Sequence, residues 1–279
     1  MGPLFGSGGL ALGIVLGCFV SLGGCSSGEV DSDSVLVLTG SSTLAPITSE
    51  LAQRYEALHP GVRIDVQSGG SSRGIADARN GLAEIGMVSR ALKAEEGDLH
   101  VETIARDGVG IVVHESNPVR ALDRSQVVAL YQGRIDSWKT VGGHDAAPVV
   151  VHKADGRATQ AVFLDHFGLD AAEVRADVIV GENEQAIKTA VGNPNSVAYV
   201  SIGSARLNIE RGSPLKLIPI DGVIASVETL RSGLYPIARP LNFVTRETPT
   251  GLAADFIEFV RSEAMREVFA AQSFVQVDA

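Results

Sequence analysis

Hydroxyl side chains and glycines occur together at three points where a predicted strand passes into a predicted helix. These points are residues 40–43 (GSST), residues 69–72 (GGSS) and residues 153–159 (KADGRAT). The first turn of a helix has backbone N–H groups without partners in the helix, and the helix dipole adds partial positive charge there. Hydroxyl and backbone donors at such a turn can bind the oxygens of an anion, and glycine allows the backbone to approach it closely.

A single turn of this kind has a simpler interpretation, because Ser and Thr are also common caps of helix N-termini. The threefold recurrence favours a ligand, and three cationic side chains lie in or beside the turns: Arg73, Lys153 and Arg157. A tetrahedral oxyanion needs donors from several directions, which converging helix starts provide. The pattern therefore predicts an oxyanion site, and helix capping alone is the alternative.

Strand-like and helix-like runs alternate along the chain, which is typical of α/β units around largely parallel sheets. In such sheets ligands bind at the carboxyl ends of strands, where all three turns lie. Two segments rich in Asn, Gly or Pro, residues 114–122 and 231–240, indicate points where the chain changes domain. We therefore predict two lobes joined by two crossings: residues 35–113 with 242–279, and residues 114–241.

The N-terminal segment is predicted to be a signal peptide rather than part of the fold. Residues 1–24 carry no charged side chain, and their apolar run LALGIVLGCFV is shorter than a stable transmembrane helix requires. The run leads into LGGC, residues 22–25, which resembles the bacterial lipobox and implies a lipid on Cys25. An ordinary secretory signal with a chance cysteine is the alternative. The polar residues 25–34 are predicted to be a flexible tether.

Composition argues against several other classes of protein. The formal net charge of −10 disfavours nucleic acid or an anionic membrane surface as the partner. Both cysteines, Cys18 and Cys25, precede the predicted domain, and the six histidines lack metal-site spacing. No Ser-His-Asp order or paired-carboxylate setting is convincing. We therefore predict a binding protein without metal or cofactor, and an enzyme acting on phosphate esters is the alternative.

Seven short motifs resemble the substrate-binding proteins of bacterial phosphate ABC transporters, the PstS type. They occur in order from about residue 35 to the C-terminus: GSSTLAP, VQSGGSSRGI, AEIGMVSRAL, DGVGIVVHESNPV, WKTVGG, NPNSVAYVSIG and SGLYPIARPLNFVT. The resemblance implies the type II periplasmic-binding-protein fold, two α/β lobes joined by a two-segment hinge, with phosphate in the cleft. A membrane permease with its ATPase would be the partner of an extracytoplasmic monomer. A surface sensor on the same fold is a further alternative.

The family's binding residues transfer only where this sequence matches the family's motifs. Thr43 and the backbone of Leu44 match the first turn, and Ser71 matches the serine of the second turn. Gly156 and Thr159 match the third turn. The resemblance thus implies a phosphate-binding set of ten residues: Ser42, Thr43, Leu44, Ser71, Arg90, Lys153, Gly156, Arg157, Ala158 and Thr159.

Three of these positions depart from the family's pattern. Lys153 stands where the family usually has Arg, and Arg157 where it has Ser. Arg90 replaces an Asp that in the best-known members accepts a hydrogen bond from protonated phosphate. Because the site gains cations and loses a carboxylate, we expect it to favour a dianion and to tolerate sulfate, arsenate or a phosphonate as alternative ligands. For Arg90 the alternative is an ion pair with Glu84 or Asp77, or a solvent-facing position.

Overall fold

Ten strands and nine α-helices alternate along the described residues, Gly2 and 34–277, of the computed structural model. The predicted signal peptide, apart from Gly2, and the tether up to residue 33, with Cys25, lie outside them. The strands are β1 (Ser34–Gly40), β2 (Val62–Ser68), β3 (Ile85–Val88), β4 (His100–His114), β5 (Val149–Lys153), β6 (Val178–Val180), β7 (Ser196–Ser201), β8 (Leu215–Ile218), β9 (Ala238–Thr245) and β10 (Val275–Gln276). The helices are α1 (Ala45–Leu58), α2 (Ser71–Asn80), α3 (Arg124–Tyr131), α4 (Ala158–Phe167), α5 (Asn183–Gly192), α6 (Ile202–Glu210), α7 (Val227–Arg231), α8 (Gly251–Arg261) and α9 (Arg266–Ala271).

The strands pair into one sheet whose order is β2-β1-β3-β9-β4-β7-β5-β6, with β8 and β10 pairing with β4 outside this order. β1 pairs in parallel with β2 and β3, and β5 pairs in parallel with β6 and β7. Between these two parallel portions, β4 and β9 run antiparallel to their neighbours. The predicted α/β class is confirmed, and the parallel pairing is confined to the two end portions of the sheet.

Buried apolar side chains form separate groups on the two sides of the β4–β9 pair. One large group combines residues 36–105 with residues 241–274 and includes Leu38 and Phe243. Another large group lies within residues 109–237 and includes Trp138. The long strand β4 contributes buried side chains to both groups. It pairs with β9 near its start and with β7 and β8 near its end. This grouping supports the two lobes predicted from the sequence, whose boundaries remain a proposal.

Glycines allow the turns before α1 and α2 to approach the sheet. Gly40, at the end of β1, has a φ of +131°, and a Cβ there would lie 2.3 Å from the carbonyl oxygen of Met87. A Cβ on Gly74 in α2 would lie 2.7 Å from the carbonyl oxygen of Thr39. Both positions therefore require glycine. Because β1 and β2 are parallel neighbours, the turns that follow them lie side by side at one edge of the sheet.

Candidate functional site

The turns before α1, α2 and α4 meet around a small polar cavity. Its volume is about 10 Å³, which is roughly the space of one water molecule. Ten residues line it, and six of them belong to the set predicted from the sequence: Ser42, Thr43, Ser71, Arg157, Ala158 and Thr159. The other four lining residues, which the sequence reasoning did not select, are Ser41, Gly70, Ser89 and Gly181.

The hydroxyls of Thr43, Ser71 and Thr159 do not cap the helices that follow these turns; the hydroxyl that accepts from the first backbone N–H groups before α1 is that of Ser41. Within residues 34–277, the N-cap positions of α1, α2 and α4 are Leu44, Gly70 and Arg157, and none of the three makes a side-chain capping hydrogen bond. Other helices of the same chain do have such caps; the Asp123 carboxylate, for example, accepts from the backbone N–H of Gln126 at the start of α3. Capping therefore does not explain why hydroxyls occur at positions 43, 71 and 159.

Hydrogen bonds from neighbouring groups determine whether the Thr43 hydroxyl acts as a donor or an acceptor toward the cavity. Thr43 Oγ1 accepts from Asn183 Nδ2 at 3.0 Å and from Arg239 Nη2 at 3.0 Å. A hydroxyl oxygen has two lone pairs and one proton. Because both lone pairs of Thr43 are engaged, its proton remains as a donor. Thr159 Oγ1 similarly accepts from Arg239 Nη1 at 2.9 Å and keeps its own proton to donate.

Serine hydroxyls on the α2 side of the cavity are polarised in the same direction. Ser71 Oγ accepts from the backbone N–H of Ser89 at 3.1 Å. Ser89 Oγ accepts from the Ser41 hydroxyl at 2.8 Å. Ser41 Oγ in turn accepts from the backbone N–H of Thr43 at 3.2 Å. The protons of Ser71 and Ser89 are left without acceptors in this network, so the cavity is lined mainly by donors.

Arg239 organises both halves of this network from strand β9. Its guanidinium is almost fully buried and pairs with the carboxylate of Asp107 at 2.8 Å, and the Asp107 side chain has no exposed surface. The same guanidinium reaches Thr43 before α1 and Thr159 in α4. The sequence contained one signal for this role, an arginine inside the mostly apolar strand ARPLNFVT. A cation at a buried strand position needs a specific set of partners.

Arg157 brings a second cation to the cavity wall. Its Nη1 lies 2.6 Å from Glu182 Oε1, and both side chains are partly buried. The stem of Arg157 packs on Gly70, where a Cβ would lie 3.0 Å from Arg157 Cδ. The backbone N–H of Ser72 also donates to the carbonyl oxygen of Gly156 at 3.3 Å. The second and third turns are therefore in direct contact.

Arg90 requires a correction to the set derived from the sequence. Its guanidinium makes two hydrogen bonds of 2.7 Å with the carboxylate of Glu96 and does not line the cavity. The partner differs from Glu84 and Asp77, the acids considered from the sequence. The bonds from Arg90 lower the pKa of Glu96 below its usual value, since they stabilise the carboxylate. Arg90 is thus an internal ion-pair residue, and we do not retain it as a ligand.

Three further residues of the predicted set lie beside the cavity without lining it. The Leu44 side chain is buried in the core, and its backbone N–H donates to the carbonyl oxygen of Ser41 at 3.1 Å. Gly156 contributes its carbonyl oxygen to the bond from α2. Lys153 is buried, and its Nζ donates to the carbonyl oxygen of Glu182 at 2.7 Å. These residues support the cavity from outside.

Comparisons with known proteins agree with the fold and the site. The family model for the PBP superfamily domain matches residues 26–264. Phosphate-binding protein PstS of Bacillus subtilis (strain 168) is 26% identical over 246 residues, which are 87% of this chain and 80% of the relative.

Two solved structures are similar to this chain in three dimensions as well as in sequence. One is a putative phosphate ABC transporter substrate-binding protein with bound phosphate from Clostridium perfringens, with a TM-score of 0.82 and 31% identity over 88% of this chain and all of the relative. The other is an ABC-type phosphate transport receptor from Vibrio cholerae, with a TM-score of 0.70 and 30% identity over 86% of this chain and 99% of the relative. The chain therefore has the type II periplasmic-binding-protein fold and belongs to the PBP superfamily, among the phosphate ABC transporter substrate-binding proteins.

Proposed function

We propose that this chain captures inorganic phosphate in the cavity between the turns before α1, α2 and α4 and delivers it to an ABC transporter. The observation that carries the proposal is the uniform polarity of the hydroxyls. Thr43, Ser71, Ser89 and Thr159 all have oxygens that accept from the protein and protons that remain to be donated. An anion with several oxygens at tetrahedral directions is the ligand that satisfies such donors. The named relatives support phosphate as this anion.

The same lining favours a second ligand class, other tetrahedral oxyanions. Among residues 34–277, no Asp or Glu side chain lines the cavity. The proton of hydrogen phosphate therefore has no carboxylate acceptor there, and a donor left unpaired in a buried site costs about 1–3 kcal/mol. We expect arsenate to compete with phosphate, and sulfate to bind measurably.

Calorimetric titration with phosphate, arsenate and sulfate tests this proposal, with a phosphate-ester hydrolysis assay run on the same sample. We expect binding of one phosphate per chain and no hydrolysis. Turnover of the ester would favour the alternative of an enzyme, and absence of binding to all three anions would overturn the proposal.

The small volume of the cavity implies that the two sides separate when an anion enters or leaves. We propose that residues 35–113 with 242–279 form one lobe, that residues 114–241 form the other, and that they close on the ligand about β4 and β9. Small-angle X-ray scattering should then show a smaller radius of gyration with saturating phosphate. An unchanged radius in a sample with proven binding would contradict lobe closure.

We also propose that the chain is held at the outer surface of a membrane by a lipid on Cys25, and that it works there as a monomer with a permease and its ATPase. The motif LGGC at residues 22–25 supports the lipid. The helices within residues 34–277 include none with the length and apolar character of a membrane span.

Replacement Cys25→Ser should move the protein from the membrane fraction to the soluble fraction. A variant that stays with membranes, together with a wild-type mass lacking an acyl group, would rule out this anchor.

A further inference from the structure

Lys153 is a buried cation for which the binding site described above has no direct use. It ends strand β5, and only 2% of its surface is exposed. Its Nζ makes one hydrogen bond, to the carbonyl oxygen of Glu182, although an ammonium group has three protons to donate. Its backbone N–H donates to the hydroxyl oxygen of Tyr199 at 3.0 Å. The backbone is thus fixed, and the charge at its tip is only partly compensated.

Charged groups from several elements surround the Lys153 ammonium group. Arg157 before α4 and Arg239 in β9 repel it, whereas Glu182 and Glu184 at the start of α5 attract it. The two arginines are already paired, Arg157 with Glu182 and Arg239 with Asp107 in β4. Glu184 is the acid left over from these two ion pairs, but its side chain is exposed, and the described residues show no ion pair between it and Lys153. An anion in the adjacent cavity, which Arg157 lines, would supply a buried countercharge.

Burial lowers the pKa of Lys153 to about 7, because the charged form loses its hydration. A group with this pKa exchanges its proton readily near neutral pH, and a nearby anion raises the pKa again. The neighbouring titratable groups behave differently. Burial lowers the pKa of His152 and raises that of Tyr199, so both side chains are neutral above neutral pH.

We propose that Lys153 takes up a proton when an oxyanion enters the cavity, so that phosphate capture by this chain is coupled to protonation of this one side chain. The inference rests on the proposed function, since it concerns the same site. It also explains why a lysine rather than an arginine at this position has a functional consequence. An arginine would remain charged throughout the accessible pH range and could not couple anion binding to a proton in this way.

The sign of the coupling follows from linkage. If the complex holds a proton that the free protein has lost, phosphate affinity falls as the pH rises. In the range where inorganic phosphate is already a dianion, from about pH 8 to about pH 10, the Kd of the wild type should rise by up to about tenfold per pH unit. The variant Lys153→Arg should show a nearly constant Kd over this range. Because titration of phosphate and buffer affects both proteins equally, the difference between their Kd values at each pH reports the protonation of Lys153 alone.

Calorimetry with phosphate at about pH 8.5, in two buffers of different ionisation enthalpy, counts the protons directly. We expect the wild type to take up close to one proton more per bound phosphate than Lys153→Arg. Lys153→Met, which also cannot titrate, is the second variant in case the guanidinium does not fit, and thermal melting checks that each protein is folded. Equal proton counts in wild type and a folded variant would overturn the inference and leave the proposed function intact. Failure of the wild type to bind phosphate at neutral pH would overturn both.

Discussion

The substitution Arg239→Met is expected to weaken phosphate binding by about a hundredfold or more and to destabilise the fold at the same time. Its guanidinium holds the hydroxyl oxygens of Thr43 and Thr159 as acceptors. Without these two donors the hydroxyl protons are free to turn toward other partners. The substitution also leaves Asp107 buried and unpaired, which costs about 3–5 kcal/mol of the free energy of unfolding.

The double variant Arg239→Met with Asp107→Leu separates the two effects. Removing both charges should recover much of the lost stability, because no uncompensated ion remains in the interior. It should not recover phosphate affinity, because the hydroxyls remain unoriented. Chemical denaturation and calorimetric titration of wild type and the two variants make this comparison. Arg239→Met that binds phosphate like wild type would refute the orienting role of this arginine.

Loss of single hydroxyls at the cavity is expected to give the second largest effect on binding. Ser71→Ala and Thr159→Val each remove one donor to the anion. A hydrogen bond to a charged group contributes about 1.5–3 kcal/mol, so each Kd should rise roughly ten- to a hundredfold. The matched control is Ser72→Ala, in the same turn of α2, because Ser72 is exposed and does not line the cavity.

Phosphate affinity, measured beside the free energy of unfolding, distinguishes this result from a purely structural role of the hydroxyls. Neither Ser71 nor Thr159 caps its helix, but each accepts from a buried donor, the backbone N–H of Ser89 or the Arg239 guanidinium, so each substitution should also cost about 1–3 kcal/mol of the free energy of unfolding. If Ser71→Ala lost stability but bound phosphate normally, the Ser71 hydroxyl would serve the fold alone.

The sequence was sufficient to find the three turns, because each is local. A strand, a Gly or Ser turn and a helix start occupy adjacent residues, and the parallel pairing of β1 with β2 brings the first two turns side by side. Six of the ten predicted residues consequently line the cavity, including Thr43, Ser71 and Thr159. The class of the fold was predictable for the same reason, since it depends on the alternation of strands and helices along the chain.

The hydrogen-bond partners of individual side chains could not be predicted from local patterns. Arg239 and Thr43 are 196 residues apart, and their hydrogen bond depends on β9 lying between β3 and β4. Arg90 follows β3 in the sequence, and its guanidinium pairs with Glu96, an acid six residues later that the sequence reasoning did not consider. Lys153 stands at a position where the resemblance implied a ligand, with Lys in place of the usual Arg, yet its Nζ donates to the backbone carbonyl of Glu182. In each case the tertiary structure selects the partner.

The central claim is that one oxyanion is bound by hydroxyls contributed from both sides of the cavity. The most direct measurement is a calorimetric titration of phosphate into wild type and into the double variant Ser71→Ala with Thr159→Val, which removes one donor from α2 and one from α4. We predict one phosphate per wild-type chain, and a double variant that stays folded and binds more than about a hundredfold more weakly. A folded double variant with the affinity of wild type would contradict it.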